Sequence, residues 1–198
     1  MNTPALPNAQ ITLVLSNRKA AYGLTRAAQS VPPIPTAYLA LKPYLNQNPG
    51  ATREDYDAEI AKIVIREKPD IVVLAGWMHI LGEGFLKLVD GRKQVDELTV
   101  TKPIAVINLH PALPDQFDGA GAIERAYEAF QKGEIAYSGA MVHWVVKDVD
   151  KGEPIVVRQV DFVKGESIEE YETRLHLVEH EIIVQATSKV LDEVKPMH

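Results

Sequence analysis

Two stretches of the chain, Ile71-Val72-Val73-Leu74-Ala75 and Ile104-Ala105-Val106-Ile107, contain no polar residue and are rich in β-branched side chains. Runs this short read as strands, and a strand without polar alternation is buried on both faces, as in a parallel sheet with helices packed on each side. Such a frame calls for helices between the strands, and the rest of the chain supplies them. Thr52 with Asp55 three residues later opens an amphipathic helix through Tyr56, Ile60, Ile63 and Val64 to about Glu67. Ser167 with Glu170 opens a longer one through Ile168, Tyr171, Leu175, Val178, Ile182 and Val190 to near Val194.

The remaining segments fit an alternating pattern. Met1 to Gln10, with Pro4 and Pro7, is an irregular lead-in; Ile11 to Leu15 is a strand, Tyr22 to Gln29 a helix, Thr36 to Leu41 an edge strand and Pro43 to Gly50 a loop. Gly84 to Val89 is a short helix, and Gly91 to Lys102 a charged surface excursion. Glycine-rich Asp118 to Gly121 leads into a helix ending near Lys132. Tyr137 to Val146 is an alternating strand with His143 packed inside, and Ile155 to Val160 a further strand after an acidic turn. A length of 198 residues suits one α/β domain, so residues 1–198 are expected to form a single domain.

The run into Ile107 continues as Asn108-Leu109-His110-Pro111-Ala112-Leu113-Pro114. The prolines cannot extend a ladder, so Asn108 and His110 stand at a strand's end. Being two apart, they point to one side, toward the crevice where ligands of open α/β folds bind. The plainer alternative is a turn-capping Asn108 and a satisfied, half-buried His110. Gly76 to Leu81, after the other apolar strand, either lines a pocket for a flat ring or packs Trp77 into the core.

Composition narrows the chemistry. The absence of cysteine removes disulfides, thiolate metal sites and a cysteine nucleophile. A net charge of -6 with scattered basic residues argues against a nucleic-acid partner and for small-molecule substrates. No apolar run reaches the length of a membrane span and no signal peptide is evident, which makes the cytoplasm the expected compartment. Two metal motifs present themselves. The Asp148-to-Gly152 pattern hints at calcium, but an EF-hand loop needs a late glutamate where Gln159 stands. His176-Leu177-Val178-Glu179-His180 matches the inverted zinc-peptidase signature, yet the third ligand would have to come from the eighteen residues that follow, most of them in the same helix.

Three segments in consistent order, AGWMHIL, NLHPALP and SGAMVHWVVKDVDKGEPIV, resemble phosphoribosylglycinamide formyltransferases, with wording like that of fungal forms. The likeness runs from about Ile11 to the end. It implies a formyltransferase-like, Rossmann-like α/β fold with a mostly parallel sheet flanked by helices. It also implies transfer of a formyl group from 10-formyltetrahydrofolate, as co-substrate, to the amine of glycinamide ribonucleotide in purine biosynthesis, with no metal and no permanently bound cofactor. At matching positions it implies Asn108, His110 and Asp150 as the catalytic trio. Arg53, Met78, His79, Ile80, Leu81 and Asn108 are implied for folate, and His176 and Glu179 for glycinamide ribonucleotide.

There are departures. The family often has arginine where His79 stands, histidine where Gly121 stands and glycine where Asp115 stands. The family's first central strand and its phosphate-cradling loop precede the segment that matches Ile11, and the sequence is expected to lack them. That leaves an alternative, a folate-binding fragment with impaired turnover; a zinc peptidase through His176, Glu179 and His180 is the remote third. The oligomeric state is open.

Overall fold

In the computed structural model, residues 6–94, 98 and 100–194 are described, and the chain divides into two compact units, Met1–Asp70 with His79–Ile104 and Ile71–Met78 with Ala105–His198. Residues 1–5 of the expected lead-in and residues 95–97 and 99 of the expected charged excursion lie outside the described residues.

The first unit holds β1 (Val14–Ser16), α1 (Tyr22–Gln29), β2 (Thr36–Tyr38), α2 (Leu41–Gln47), α3 (Arg53–Arg66) and α4 (Glu83–Val89). β1 and β2 pair in parallel, Val14 opposite Thr36. α3 starts as expected: the Thr52 hydroxyl accepts from the Asp55 N–H, and the Asp55 carboxylate accepts from the Thr52 N–H at 2.7 Å. Its apolar face buries Tyr56, Ile60, Val64 and Ile65, and α4 adds buried Phe85, Leu88 and Val89. α3 and α4 approach closely because Gly84 has no side chain; a Cβ there would lie 2.5 Å from the Glu54 carbonyl oxygen. The expected loop from Pro43 to Gly50 is a correction, since α2 occupies most of it. Pro43 sits in the first turn, where a backbone N–H has no intrahelical acceptor, so its missing donor costs little.

The second unit holds β3 (Ile71–Leu74), β4 (Ala105–His110), α5 (Ala122–Gln131), β5 (Tyr137–Trp144), β6 (Pro154–Asp161) and α6 (Ile168–Val194). Its sheet has the order β3-β4-β5-β6. β3 and β4 are parallel, whereas β4–β5 and β5–β6 are antiparallel. A mostly parallel sheet was the expectation, and it is corrected: the chain forms a parallel pair and a separate mixed four-stranded sheet. The short Val145–Glu153 connection explains the β5–β6 part, because a link of that length can only reverse the chain. β3 also has β4 as its one ladder neighbour among the described residues, and Val73 is 37% exposed, so this apolar strand is less covered than its composition suggests.

α6 lies on this sheet through Tyr171, Leu175, Ile182, Ala186 and Val190, all fully buried together with Ile107, Ala140 and Val142. The Ser167–Glu170 capping box forms, with the Ser167 N–H donating to the Glu170 carboxylate at 2.8 Å. A ring stack continues the core, Phe130 on Phe162 at 4.5 Å and Phe162 on Tyr171 at 4.2 Å between centroids. Truncating one of these side chains, Ile182 for example, would cost about 3 kcal/mol.

Candidate active site

The second unit brings Asn108, His110 and Asp150 together. β4 carries Asn108 and His110 on successive same-side positions, and the antiparallel register sets Asn108 directly opposite His143 of β5. The ladder between β5 and β6 is irregular at Val142/His143, and β6 returns through Gly152. A Cβ on Gly152 would fall 1.6 Å from the Trp144 carbonyl oxygen and 3.2 Å from the His143 Nδ1. Only glycine permits that approach, and it brings Asp150, two residues earlier in a left-handed conformation at φ 57°, back over the strand ends.

Asp150 then sits among four groups. Its Oδ2 accepts the Gly119 N–H at 2.8 Å and faces His110 Nδ1 at 3.5 Å. Its Oδ1 faces His143 Nε2 at 3.4 Å and accepts from Asn108 Nδ2 at 3.4 Å. Burial pushes the carboxyl up, but the bonds from His143 and Gly119 and the charges of both histidines outweigh it and hold Asp150 down at about 2. The carboxylate is therefore ionised at neutral pH.

The two histidines differ in their second partner. His143 Nδ1 lies 2.9 Å from the Trp144 carbonyl oxygen and donates to it, while its Nε2 lies 3.1 Å from Asn108 Nδ2 and 3.4 Å from Asp150 Oδ1. His110 Nε2 lies 3.3 Å from the Gln116 carbonyl oxygen, a long bond, while Nδ1 faces Asp150. Both ring nitrogens of His110 thus meet acceptors, a pairing that a doubly protonated ring can satisfy at both ends. His110 and His143 are 3% and 2% exposed, so the pairs are shielded from bulk water and act in a low dielectric.

His143 was expected to pack inside its strand, and it is buried, but it also joins the cluster. The signal was available in the alternation that puts Met141 and His143 on one face; what was missing was the register that sets that face beside Asn108. The Gly119 N–H and the Gln116 carbonyl are main-chain groups and have no sequence signature.

The residues expected for folate are placed in two units, Met78 in the second and the others except Asn108 in the first. In the first unit Arg53 Nη2 donates to the Ile80 carbonyl at 2.6 Å, and His79 Nε2 lies 2.6 Å from Oδ1 of Asp57. The other Asp57 oxygen accepts the Gly82 N–H at 2.8 Å, so α3 pins the His79–Gly82 loop at three points. Within this loop Ile80 is 50% exposed and Leu81 is buried. Met78, in its own unit, is 58% exposed.

On α6, His176 Nε2 lies 3.6 Å from the Glu179 carboxylate and 3.8 Å from that of Glu172. Burial raises the Glu179 carboxyl, against the opposing charge of His176. Among the described residues no three His, Asp or Glu side chains converge as metal ligands, at the H-x-x-E-H motif or elsewhere. In the acidic turn the Asp150 carboxylate is taken up by the Gly119 N–H, and Lys151 Nζ reaches out of the turn to Asp118 at 2.7 Å and Asp115 at 3.1 Å. The two departures in the preceding loop are both left-handed, Asp115 at φ 62° and Gly121 at φ 67°.

The model of the formyl transferase family matches residues 2–187. Phosphoribosylglycinamide formyltransferase of Schizosaccharomyces pombe is 47% identical over 94% of this chain and 85% of its own length. That of Saccharomyces cerevisiae is 40% identical over 94% of this chain and 86% of its own. Among solved structures, phosphoribosylglycinamide formyltransferase from Campylobacter jejuni superposes with a TM-score of 0.74 at 31% identity, over 92% of this chain and 82% of that one. With nearly its whole length matched at these identities, and with two polar strand ends converging on one buried carboxylate, this chain belongs to the formyl transferase family.

Proposed function

We propose that the chain is a phosphoribosylglycinamide formyltransferase, transferring the formyl group of 10-formyltetrahydrofolate to the amine of glycinamide ribonucleotide in purine biosynthesis. The observation that supports it most is the Asn108–His110–His143–Asp150 cluster, built on two buried histidines, in a chain so similar to relatives of that name. No metal enters the proposed chemistry, no nucleic acid is a partner, and no described helix is long and apolar enough to cross a membrane. The proposal takes residues 1–198 as one catalytic domain acting in the cytoplasm.

The chemistry needs three services. The amine nitrogen attacks the formyl carbon, the carbonyl π pair moves to oxygen, and a tetrahedral intermediate with a negative oxygen and a positive nitrogen results. Asn108 Nδ2 donates to that oxygen, releasing its 3.4 Å contact with Asp150 and keeping its bond to His143. His110 exchanges its 3.3 Å bond to the Gln116 carbonyl for the same oxygen and, as an imidazolium, adds a charged hydrogen bond. The proton lost by the amine reaches the departing folate nitrogen by way of the Asp150–His110 pair as the carbon–nitrogen bond to folate breaks. Arg53, Met78, His79, Ile80 and Leu81 serve the folate, and His176 and Glu179 the ribonucleotide.

The test is formyl transfer from 10-formyltetrahydrofolate to glycinamide ribonucleotide by the purified chain, beside direct folate binding. Turnover supports the proposal. Folate binding without turnover selects a non-catalytic folate-binding protein instead.

A further inference from the structure

The Gly119 N–H is one of two groups that grip Oδ2 of Asp150, and it is offered by a loop that has no regular structure of its own. Phe117 at φ 50°, Gly119 at φ 81° and Gly121 at φ 67° are all left-handed. For phenylalanine that conformation costs about 1 kcal/mol. The turns also aim several carbonyl oxygens at one region, which is repulsive unless a cation stands there. Arg125 supplies it. Its Nη2 lies 2.6 Å from the Phe117 carbonyl oxygen, 2.8 Å from that of Asp118 and 3.0 Å from that of Ala120, and its Nε donates to Gly121 at 3.2 Å. The guanidinium also lies 5.9 Å from the centre of the Phe117 ring.

Arg125 holds this place in the first turn of its own helix. Its N–H makes the first-turn bond to the Gly121 carbonyl, so it stands at the N-terminal end of α5, where the helix dipole disfavours a cation. No carboxylate lies among these contacts; every one is to main chain or to the Phe117 ring. A planar fork suits several carbonyls at fixed angles, and an ammonium does not.

We propose that Arg125 is a positioning residue for formyl transfer: it gathers the carbonyls of Phe117, Asp118, Ala120 and Gly121 and so holds the Gly119 N–H on Asp150, which orders His110 and His143. The inference rests on Asp150 serving the proposed reaction. The contacts of Arg125 run to main chain and to the Phe117 ring, so its effect is expected on the chemical step rather than on binding of either substrate.

The experiment compares wild type, Arg125→Ala and Arg125→Lys by steady-state kinetics and by hydrogen exchange at single amides. For Arg125→Ala we expect kcat to fall about tenfold, KM for both substrates to stay within about twofold, and the Gly119 amide to exchange at least about tenfold faster while β4 and β5 amides keep their rates. Arg125→Lys should fall at or near the alanine variant, because it keeps the charge without the fork. Three results overturn the proposal: an unchanged Gly119 exchange rate, a general loss of protection across β4 and β5, or full rescue by lysine. A wild-type chain that transfers no formyl group would defeat the functional reading alone, since the exchange rates report on the Arg125 contacts without turnover.

Discussion

Two buried carboxylates in this chain each face histidine, and they are built differently. Asp57, in the first unit, has one partner per oxygen at short range, His79 at 2.6 Å and the Gly82 N–H at 2.8 Å. Asp150, in the second, has four partners of which only the Gly119 N–H is close; His110, His143 and Asn108 stand at 3.4–3.5 Å. The first arrangement is a clamp: every bond is near its optimum, and loosening any of them loses loop order. The second is a hub whose longer contacts can be traded for bonds to a substrate at little cost. Residue type does not separate a clamp from a reactive hub; the lengths and number of the contacts do.

The largest effects are expected at the hub. Asn108→Ala and His110→Ala should each lower kcat by about a hundredfold or more, an oxyanion donor being worth about 3 kcal/mol, with the fold unchanged by circular dichroism. Turnover at the wild-type level in either variant would show that the hub is not where reaction occurs.

Asp150→Asn tests the electrostatics. The Asp150 carboxyl is held at about 2 against an ordinary 3.8, so its ionised form stabilises the folded state. That contribution, about 2 kcal/mol, is complete above pH 4 and fades as pH falls from there toward 2. In urea titrations the asparagine variant should be less stable than wild type by that amount at pH 7, and the gap should close between pH 4 and 2. A gap that persists unchanged at pH 2 would refute the ionised hub.

At the clamp the expected effect is of another kind. Asp57→Asn should lower stability by about 1 to 2 kcal/mol through the weakened bonds to His79 and Gly82. Since the His79–Gly82 loop is proposed to meet the folate, KM for the folate should rise while kcat changes less than twofold, roughly. A fall in kcat matching that of the hub variants would erase the distinction. The smallest effect belongs to His143→Gln, which keeps a hydrogen-bonding side chain next to Asn108: about a fivefold loss in kcat, equivalent to one ordinary hydrogen bond.

Much of this hub was legible because polar residues at the end of an otherwise apolar strand have few reasons to be there, and Asn108 and His110 are such residues. The capping boxes at Thr52 and Ser167 were legible because each is a local contact. Strand direction was not: an apolar strand buried on both faces has the same composition whichever way its neighbour runs, so the antiparallel β4–β5 pairing left no mark on Ile104 to Ile107. α2 was hidden by Pro43, which looks like a breaker until its place in the first turn is known. The Gly119 N–H on Asp150 and the Gly152 approach to Trp144 depend on main-chain geometry created by the whole second unit.

The opposition of Asn108 and His143 across β4 and β5 carries a lesson about how such a site is inherited. The same ladder that fixes this pair also fixes which residues of β4 and β5 face α6, Ile107 and Val142 among them. Slipping the pairing by one residue would turn the apolar set outward and lose the fold at the moment it lost the chemistry. Selection for a soluble, protease-resistant chain therefore already screens for the correct spacing of the reactive groups. Substitutions that spare solubility but abolish turnover should be few, and they should concentrate in the loops that follow the strands.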